Sequence, residues 1–301
     1  MVPPGGPPVF PAIDLTWLVR WGIIASSLSL YYIVFSLGIV LTFGMHKVVN
    51  FAHGAIYMVG AYIGFGVYAL TGNFVVALIA GFAAPFFLGA LLERILISRL
   101  YGSDSTSTFL LTFALSFIMV GIVKFIATAK YRALDVAGIL DGRLDIAGTS
   151  VPTYRLFFIG FTVLIIILVY LFLTKTKVGS IVRAGTSNST AVEVLGINVK
   201  NYFTLMFGVG SGLAGLTGVL FAPLFNLYPG MGDEILLWGF IVVIIGGLGS
   251  FTGSIVGGVI LGVLHSFGSL VFGEYVMFAT YALLIIVLSV RPRGIFVGRE
   301  V

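Results

Sequence analysis

From Val48 to Leu92 the chain runs for 45 residues without a single Asp, Glu, Lys or Arg, and only His53 interrupts its apolar character. A charge at the centre of a bilayer is expensive and a spanning helix needs about 20 mostly apolar residues. A run this long therefore holds two spans, with a turn at Thr71-Gly72-Asn73. The same reasoning gives spans at Trp21–Phe43, Ser105–Val123, Leu156–Thr174, Asn201–Gly232 (a span followed by a Pro/Gly turn, Pro223 to Pro229) and Tyr275–Val290. The last of these is preceded by Ile235–Gly273, broken in the middle by Gly246-Gly247-Leu248-Gly249-Ser250. Eight clear spans result, with one or two broken ones besides. The expected fold is all-α: a polytopic membrane bundle of about 8–10 segments.

Composition closes off the soluble alternatives. Charged residues make up 9% of the 301, against about 25% in a soluble domain, and the mean hydropathy is +1.15. With no cysteine, disulfides, thiolate nucleophiles and Cys-ligated metals are excluded. The net charge of +5 marks topology, not a nucleic-acid surface. If the loop Lys175–Lys200 is cytoplasmic and nine segments alternate, the cytoplasmic side holds ten cations and four acids, the other side six and seven. That bias puts the C-terminus in the cytoplasm. Residues 1–16 read as a disordered Pro-rich tail, with five of the ten prolines before Ala12, and 17–301 as one transmembrane domain. The outer loop 129–153 reads as a small folded excursion, a strand pair or a short helix.

Forty glycines suit helices that approach closely. Gly60/Gly64, Gly208/Gly212, Gly258/Gly262 and Gly249/Gly253/Gly257 are each spaced at four and would share helix faces. The break Gly246, Gly247, Gly249, Ser250 is a candidate path element, because discontinuous helices are tolerated where backbone lines a cavity. A second candidate is Asn50, Phe51, His53, Gly54 and Tyr57: Asn50 as N-cap would put His53 at N3. These residues are either a capped helix start with a satisfied His, or a polar knot that lines or gates the path.

In the cytoplasmic loop, Thr190-Ala191-Val192-Glu193 fits a capping box and Gly196 a C′ stop. The spacing predicts a short helix over Ala191–Leu195, capped by Thr190, with Val192 and Leu195 on one apolar face. So short a helix is unstable alone and must dock on something.

The runs Arg183-Ala184 … Leu195-Gly196-Ile197-Asn198, Asn50-Phe51-Ala52-His53-Gly54 … Tyr57-Met58, Gly246-Gly247-Leu248-Gly249-Ser250 and Arg291-Pro292-Arg293-Gly294-Ile295 together resemble the permeases of branched-chain amino acid-type ATP-binding-cassette importers. The likeness covers about Ser29 to Gly294 and is nearest to the first of the two permeases in such systems. It implies a fold like that of the vitamin B12-type (type II) importers. It further implies a heteromeric complex in a bacterial or archaeal cytoplasmic (inner) membrane, with a second permease, two cytoplasmic ATP-binding subunits and an extracytoplasmic substrate-binding protein. ATP and Mg would sit on the partners and no cofactor on this chain. Coupling to the ATPases would fall on Arg183, Thr190, Ala191, Val192, Glu193, Leu195, Gly196, Ile197 and Asn198. Relatives often carry an acidic residue before the coupling helix, where this chain has Thr186-Ser187-Asn188-Ser189. Substrates in the family include branched-chain amino acids, urea, short amides and aromatic acids; the uncharged path candidates fit a neutral or zwitterionic solute.

The chain lacks the G-x-x-x-x-G-K-[ST] loop that cradles nucleotide phosphates, so hydrolysis would belong to partners. No catalytic or metal site is expected: the three His residues form no H-E-x-x-H. The alternative to an ATP-driven importer is a self-contained secondary carrier or channel. Such a protein usually places ionisable groups at the membrane midplane.

Overall fold

The computed structural model describes residues 14–46, 49–101, 104–128, 130–136, 138 and 140–296. Among the described residues ten α-helices carry the fold: α1 (Leu15–His46), α2 (Ala52–Thr71), α3 (Phe74–Ile95), α4 (Ser105–Ala127), α5 (Thr153–Lys175), α6 (Lys177–Val194), α7 (Val199–Phe221), α8 (Met231–Gly246), α9 (Phe251–Phe272) and α10 (Val276–Val290). Strands β1 (Arg143–Ile146) and β2 (Thr149–Pro152) pair antiparallel, the strand-pair form of the excursion expected between 129 and 153. Seven helical stretches among the described residues are long and apolar enough to cross a membrane. The last of them, Phe251–Val290, folds back on itself, because His265 of α9 bonds Thr280 of α10 across 15 residues. The fold is an all-α polytopic bundle.

The turn at Thr71–Asn73 forms where expected. The Asn73 carboxamide oxygen accepts from the amides of Val75 and Val76 at 3.0 and 3.3 Å, which caps α3. At the start of the chain the boundary moves: Asp14 accepts the Trp17 amide at 2.7 Å, so Leu15 and Thr16 belong to α1, not to a tail. The rest of that tail, 1–13, lies outside the described residues.

Helix α7 is buried along most of its length and packs against α1, α2 and α3. Glycine makes this possible. A Cβ on Gly60 of α2 would collide with Gly215 of α7, and Gly208 and Gly212 accommodate the Phe86 and Phe82 rings of α3. Likewise Gly258 and Gly262 of α9 face Ile33 and Ser29 of α1. One ladder is shorter than its spacing suggests, since Gly249 precedes α9 and only Gly253 and Gly257 sit on the helix.

The contacts define two ends of the bundle. The hairpin end gathers the start of α1, the β1–β2 pair and the end of α9, where Trp17 meets Phe267 and Thr149 bonds Thr16. The elbow end gathers the α5–α6–α7 connections, the α8–α9 turn and residues 291–296.

Candidate functional site

Three helix ends meet beside the midpoint of α1. Tyr31 lies about 24 Å from either end of that helix at 1.5 Å per residue. The Tyr31 hydroxyl bonds that of Tyr57, in the second turn of α2, at 2.9 Å. Its ring stacks on Phe221, the last residue of α7, with centroids 3.5 Å apart. Helix α8 begins at Met231, and Gly232 and Gly54 sit so close that a Cβ on either would strike the other's backbone. Among these ends lies a cavity of about 110 Å³ walled by Tyr31, Tyr32, Tyr57, Phe221, Tyr228 and Trp238, with Glu234 also on its lining.

The sequence supplies a local reason for each part. Proline at 223 and 229 ends α7 and delays α8. Glu234 falls in the first turn of α8, where the helix dipole favours a carboxylate, and it accepts the Tyr228 hydroxyl at 2.7 Å. Tyr32 is fixed from behind. Its hydroxyl lies 2.7 Å from His265 Nδ1, and His265 Nε2 lies 3.0 Å from Thr280 Oγ1. Thr280 spends its own proton on the Val276 carbonyl at 3.1 Å, so Nε2 donates to Thr280 and Tyr32 donates to Nδ1. Aromatic walls and one carboxylate suit a small solute with an apolar body and a cationic group.

Of the path candidates read from sequence, Tyr57 lines this cavity. Asn50, Phe51, His53 and Gly54 form the start of α2 just beneath it. Asn50 does accept an amide of the first turn, that of Ala52 at 3.0 Å. The helix starts one residue later than expected, however, and His53 falls at N2. The His53 ring is fully buried against Phe35, at 5.0 Å between centroids, and neither ring nitrogen makes a hydrogen bond.

Gly246, Gly247, Gly249 and Ser250 lie elsewhere. They make the tight turn between α8 and α9 at the elbow end, where Ser250 caps α9 by accepting the Gly253 amide at 3.0 Å. Residues 295 and 296 seal that turn, the Ile295 and Phe296 amides donating to Ile245 and Gly246 at 2.9 Å. The discontinuity that reaches the interior is the 222–230 connection, which the sequence reading took for an ordinary turn between spans. Tyr31, Tyr32, Phe221, Tyr228, Glu234 and Trp238 were missed for that reason. Their available signals were a tyrosine pair midway along an uncharged span and an acidic pair directly after a Pro/Gly turn.

The second candidate region is the elbow. Helix α6 begins with Thr176 accepting the Gly179 amide at 3.1 Å, and the Arg183 guanidinium donates to the Leu173 carbonyl at the end of α5. The helix breaks at Asn188, whose φ of −151° and ψ of 92° are extended. Asn188, not Thr190, is the cap: its side-chain oxygen accepts the Ala191 amide at 3.0 Å, and Thr190 is exposed. Asn is the stronger N-cap of the two. The short helix that follows ends at Val194 rather than Leu195. Gly196 sits at C′ with φ +78°, its amide donating to the Glu193 carbonyl at 2.9 Å.

Val192 and Leu195 do not share a face. Val192 is buried against Val199 and Phe203, with Ile197 and Tyr101 packed around them. Leu195 has already left helical geometry and stands 77% exposed beside Val194 at 82%. Ala191, Glu193 and Asn198 are also exposed.

Beneath the elbow, Glu93 of α3 is completely buried and accepts hydrogen bonds from the hydroxyls of Tyr101 and of Thr204 on α7. Burial, and the Glu93 carboxylate beside it, push the Tyr101 phenol above its ordinary pKa, so it remains a donor. Tyr101 thereby joins the Val192 cluster to α3 and α7. Among the described residues no group of three His, Asp or Glu side chains could hold a metal ion.

Seven apolar stretches among the described residues, each long enough to cross a bilayer, mark a multi-pass membrane protein. The chain matches the family described as the branched-chain amino acid transport system / permease component over residues 23–288, and it belongs to that family. It is 28% identical over 284 residues to the high-affinity branched-chain amino acid transport system permease protein BraD of Pseudomonas aeruginosa, covering 90% of this chain and 92% of the relative. The permease protein LivH of the corresponding Escherichia coli K12 system is 27% identical over 288 residues, with the same coverage. A probable branched-chain amino acid permease LivH of Methanocaldococcus jannaschii is 26% identical over 290 residues, 87% of each chain. No solved structure matches. The chain is thus a multi-pass membrane permease component of a transporter with other subunits, and not an enzyme.

Proposed function

We propose that this permease imports branched-chain amino acids, driven by ATP hydrolysed on two cytoplasmic subunits. It works beside a second permease, and an extracytoplasmic binding protein delivers the solute. It resides in the cytoplasmic membrane with the elbow and the C-terminus inside. The observation that carries the ATP-driven reading is the exposed apolar pair Val194–Leu195, at the tip of a helix whose other face, through Val192, is locked to the bundle. Closure of the ATPases around this tip would shift Val192, Tyr101 and Phe203 as one unit, and through Glu93 and Thr204 bias α3 against α7. Coupling of this kind requires only that the docked state favour one arrangement of the spans. In the cavity, the aromatic walls take the aliphatic side chain and Glu234 the ammonium group.

The test is ATP-dependent leucine uptake in proteoliposomes holding the full complex, with urea, short amides and aromatic acids as competitors. Strong competition by leucine, isoleucine and valine alone supports the substrate assignment, and equal competition by urea defeats it. The buried carboxylate of Glu93 favours a second reading, a carrier coupled to H⁺ or Na⁺. Uptake by this chain alone, driven by an ion gradient without ATP, would establish that reading instead.

A further inference from the structure

We propose that the hairpin end carries a phosphate-binding site, built from Arg20, Arg143 and Arg155 and filled by the headgroup of an anionic phospholipid. The three arginines come from α1, β1 and α5 and line one cavity of about 530 Å³. The hairpin that closes it is firmly placed. Its turn is Ala147-Gly148, both residues at positive φ (49° and 80°), as a two-residue type I′ connection requires. The Thr16 hydroxyl donates to the Ala147 carbonyl at 3.2 Å, the Thr149 hydroxyl to the Thr16 carbonyl at 3.1 Å, and the Thr153 amide to the Gly142 carbonyl at 2.9 Å.

Among the described residues no carboxylate lines this cavity. Asp14, the nearest acid along α1, is engaged by the Trp17 amide, and residues 1–13 contain no Asp or Glu. Arg155 Nε is buried without a hydrogen-bond partner. Arg20 and Arg143 are exposed, with Asp141 and Asp145 two residues either side of Arg143, so the burial cost falls on the unpartnered Arg155 Nε, which an anion held among the three guanidinium groups would satisfy. The guanidinium fork matches phosphate oxygens in pairs, which makes phosphate the complementary ligand.

The depth of the site selects a lipid as the phosphate's source. Trp17 and Trp21 bracket Arg20 along α1, their rings 6.4 Å apart, and tryptophan concentrates at headgroup level. Leu15 and Leu18, exposed by 68% and 51%, lie further toward the helix start than Arg20, so the apolar surroundings extend past the arginines. Ile23 and Ile24 also line the cavity, giving apolar surface next to the cations. Basic pockets between transmembrane helices hold phospholipid headgroups at the cytoplasmic face, and the same chemistry is available at this end, opposite the elbow.

Native mass spectrometry of the detergent-purified complex, supplied with phosphatidylglycerol or phosphatidylcholine, tests the site. The wild type should retain phosphatidylglycerol in preference. The triple variant Arg20→Gln, Arg143→Gln, Arg155→Gln should lose it by at least about tenfold, since hydrogen bonds to charged groups are the strong ones. Should that variant fail to assemble, the exposed single change Arg143→Gln must still weaken retention several-fold, and Arg143→Lys less so. Equal retention by wild type and variants overturns the proposal. Phosphatidylglycerol excluded while inorganic phosphate binds would overturn the lipid assignment. So would unchanged lipid retention together with lost docking of the binding protein, which would make the arginines a contact for protein carboxylates.

Discussion

At the elbow, the break, cap, helix and stop all fall within residues 188–196, and one buried side chain, Val192, anchors them. The cavity draws Tyr31, Tyr57, Phe221 and Glu234 from four separate segments, and Tyr32 beside them is held from further out by His265, itself bonded to Thr280. The elbow is therefore a rigid local unit on a small footing, suited to being pushed. The cavity is fixed from several directions and changes only when whole helices move. Damage to the two should read out differently: elbow variants should lose turnover while the complex still binds solute, and cavity variants should lose affinity while ATP is still hydrolysed.

The largest effect is expected from Val194→Asp combined with Leu195→Asp. Both side chains are exposed, so the free chain should insert and fold. An apolar anchor turned into a charge at an interface costs about 2–4 kcal/mol, equivalent to roughly 30- to 1,000-fold in docking. Co-purification with the ATPase subunits and ATP-driven uptake should both collapse. Normal uptake by this variant would show that the elbow tip is not where the ATPases hold. Next comes Glu234→Gln, which keeps the shape of the side chain and an acceptor for Tyr228 but removes the charge. Loss of a charge-assisted contact to an ammonium should raise KM for leucine by about tenfold to a hundredfold, with kcat changed far less. A fall in kcat at constant KM would instead make Glu234 part of the moving machinery.

The same contrast explains what was legible in the sequence. Uncharged runs gave the spans, because desolvation of charge is a property of each residue in turn. The Gly196 stop was readable for a similar reason: the backbone needs φ > 0 there, and only the local turn matters. Thr190 was the wrong cap because two good candidates lie two residues apart, and the burial of Val192 against α7 decides between them. Residues Gly246–Ser250 showed a genuine break, but its depth depends on how α8 and α9 pack and on the return of residues 295 and 296. The cavity was hardest to read, since Tyr31 and Phe221 meet only once α1 and α7 have packed through Gly38 and Gly210. Glu93, the first charge after the uncharged run Val48–Leu92, is buried for the same long-range reason.

The smallest predicted effect probes the elbow's own construction. Asn188→Ala removes the side-chain oxygen that accepts the Ala191 amide, and an N-cap lost this way costs about 1 kcal/mol. The cost falls on the short helix alone, because Val192 still packs on Val199 and Phe203. Maximal uptake should therefore drop by about fivefold at most, with KM for leucine unchanged, and Asn188→Asp should restore it because a carboxylate caps equally well. Thr190→Ala serves as the internal control, and uptake should be untouched, since Thr190 caps nothing. If the two alanine variants behaved alike, the cap would not set the position of Val194 and Leu195, and the elbow would owe its shape to packing, as the cavity does. A loss of affinity in Asn188→Ala would break the comparison altogether, because a purely local defect at the elbow would then have reached the walls around Tyr31.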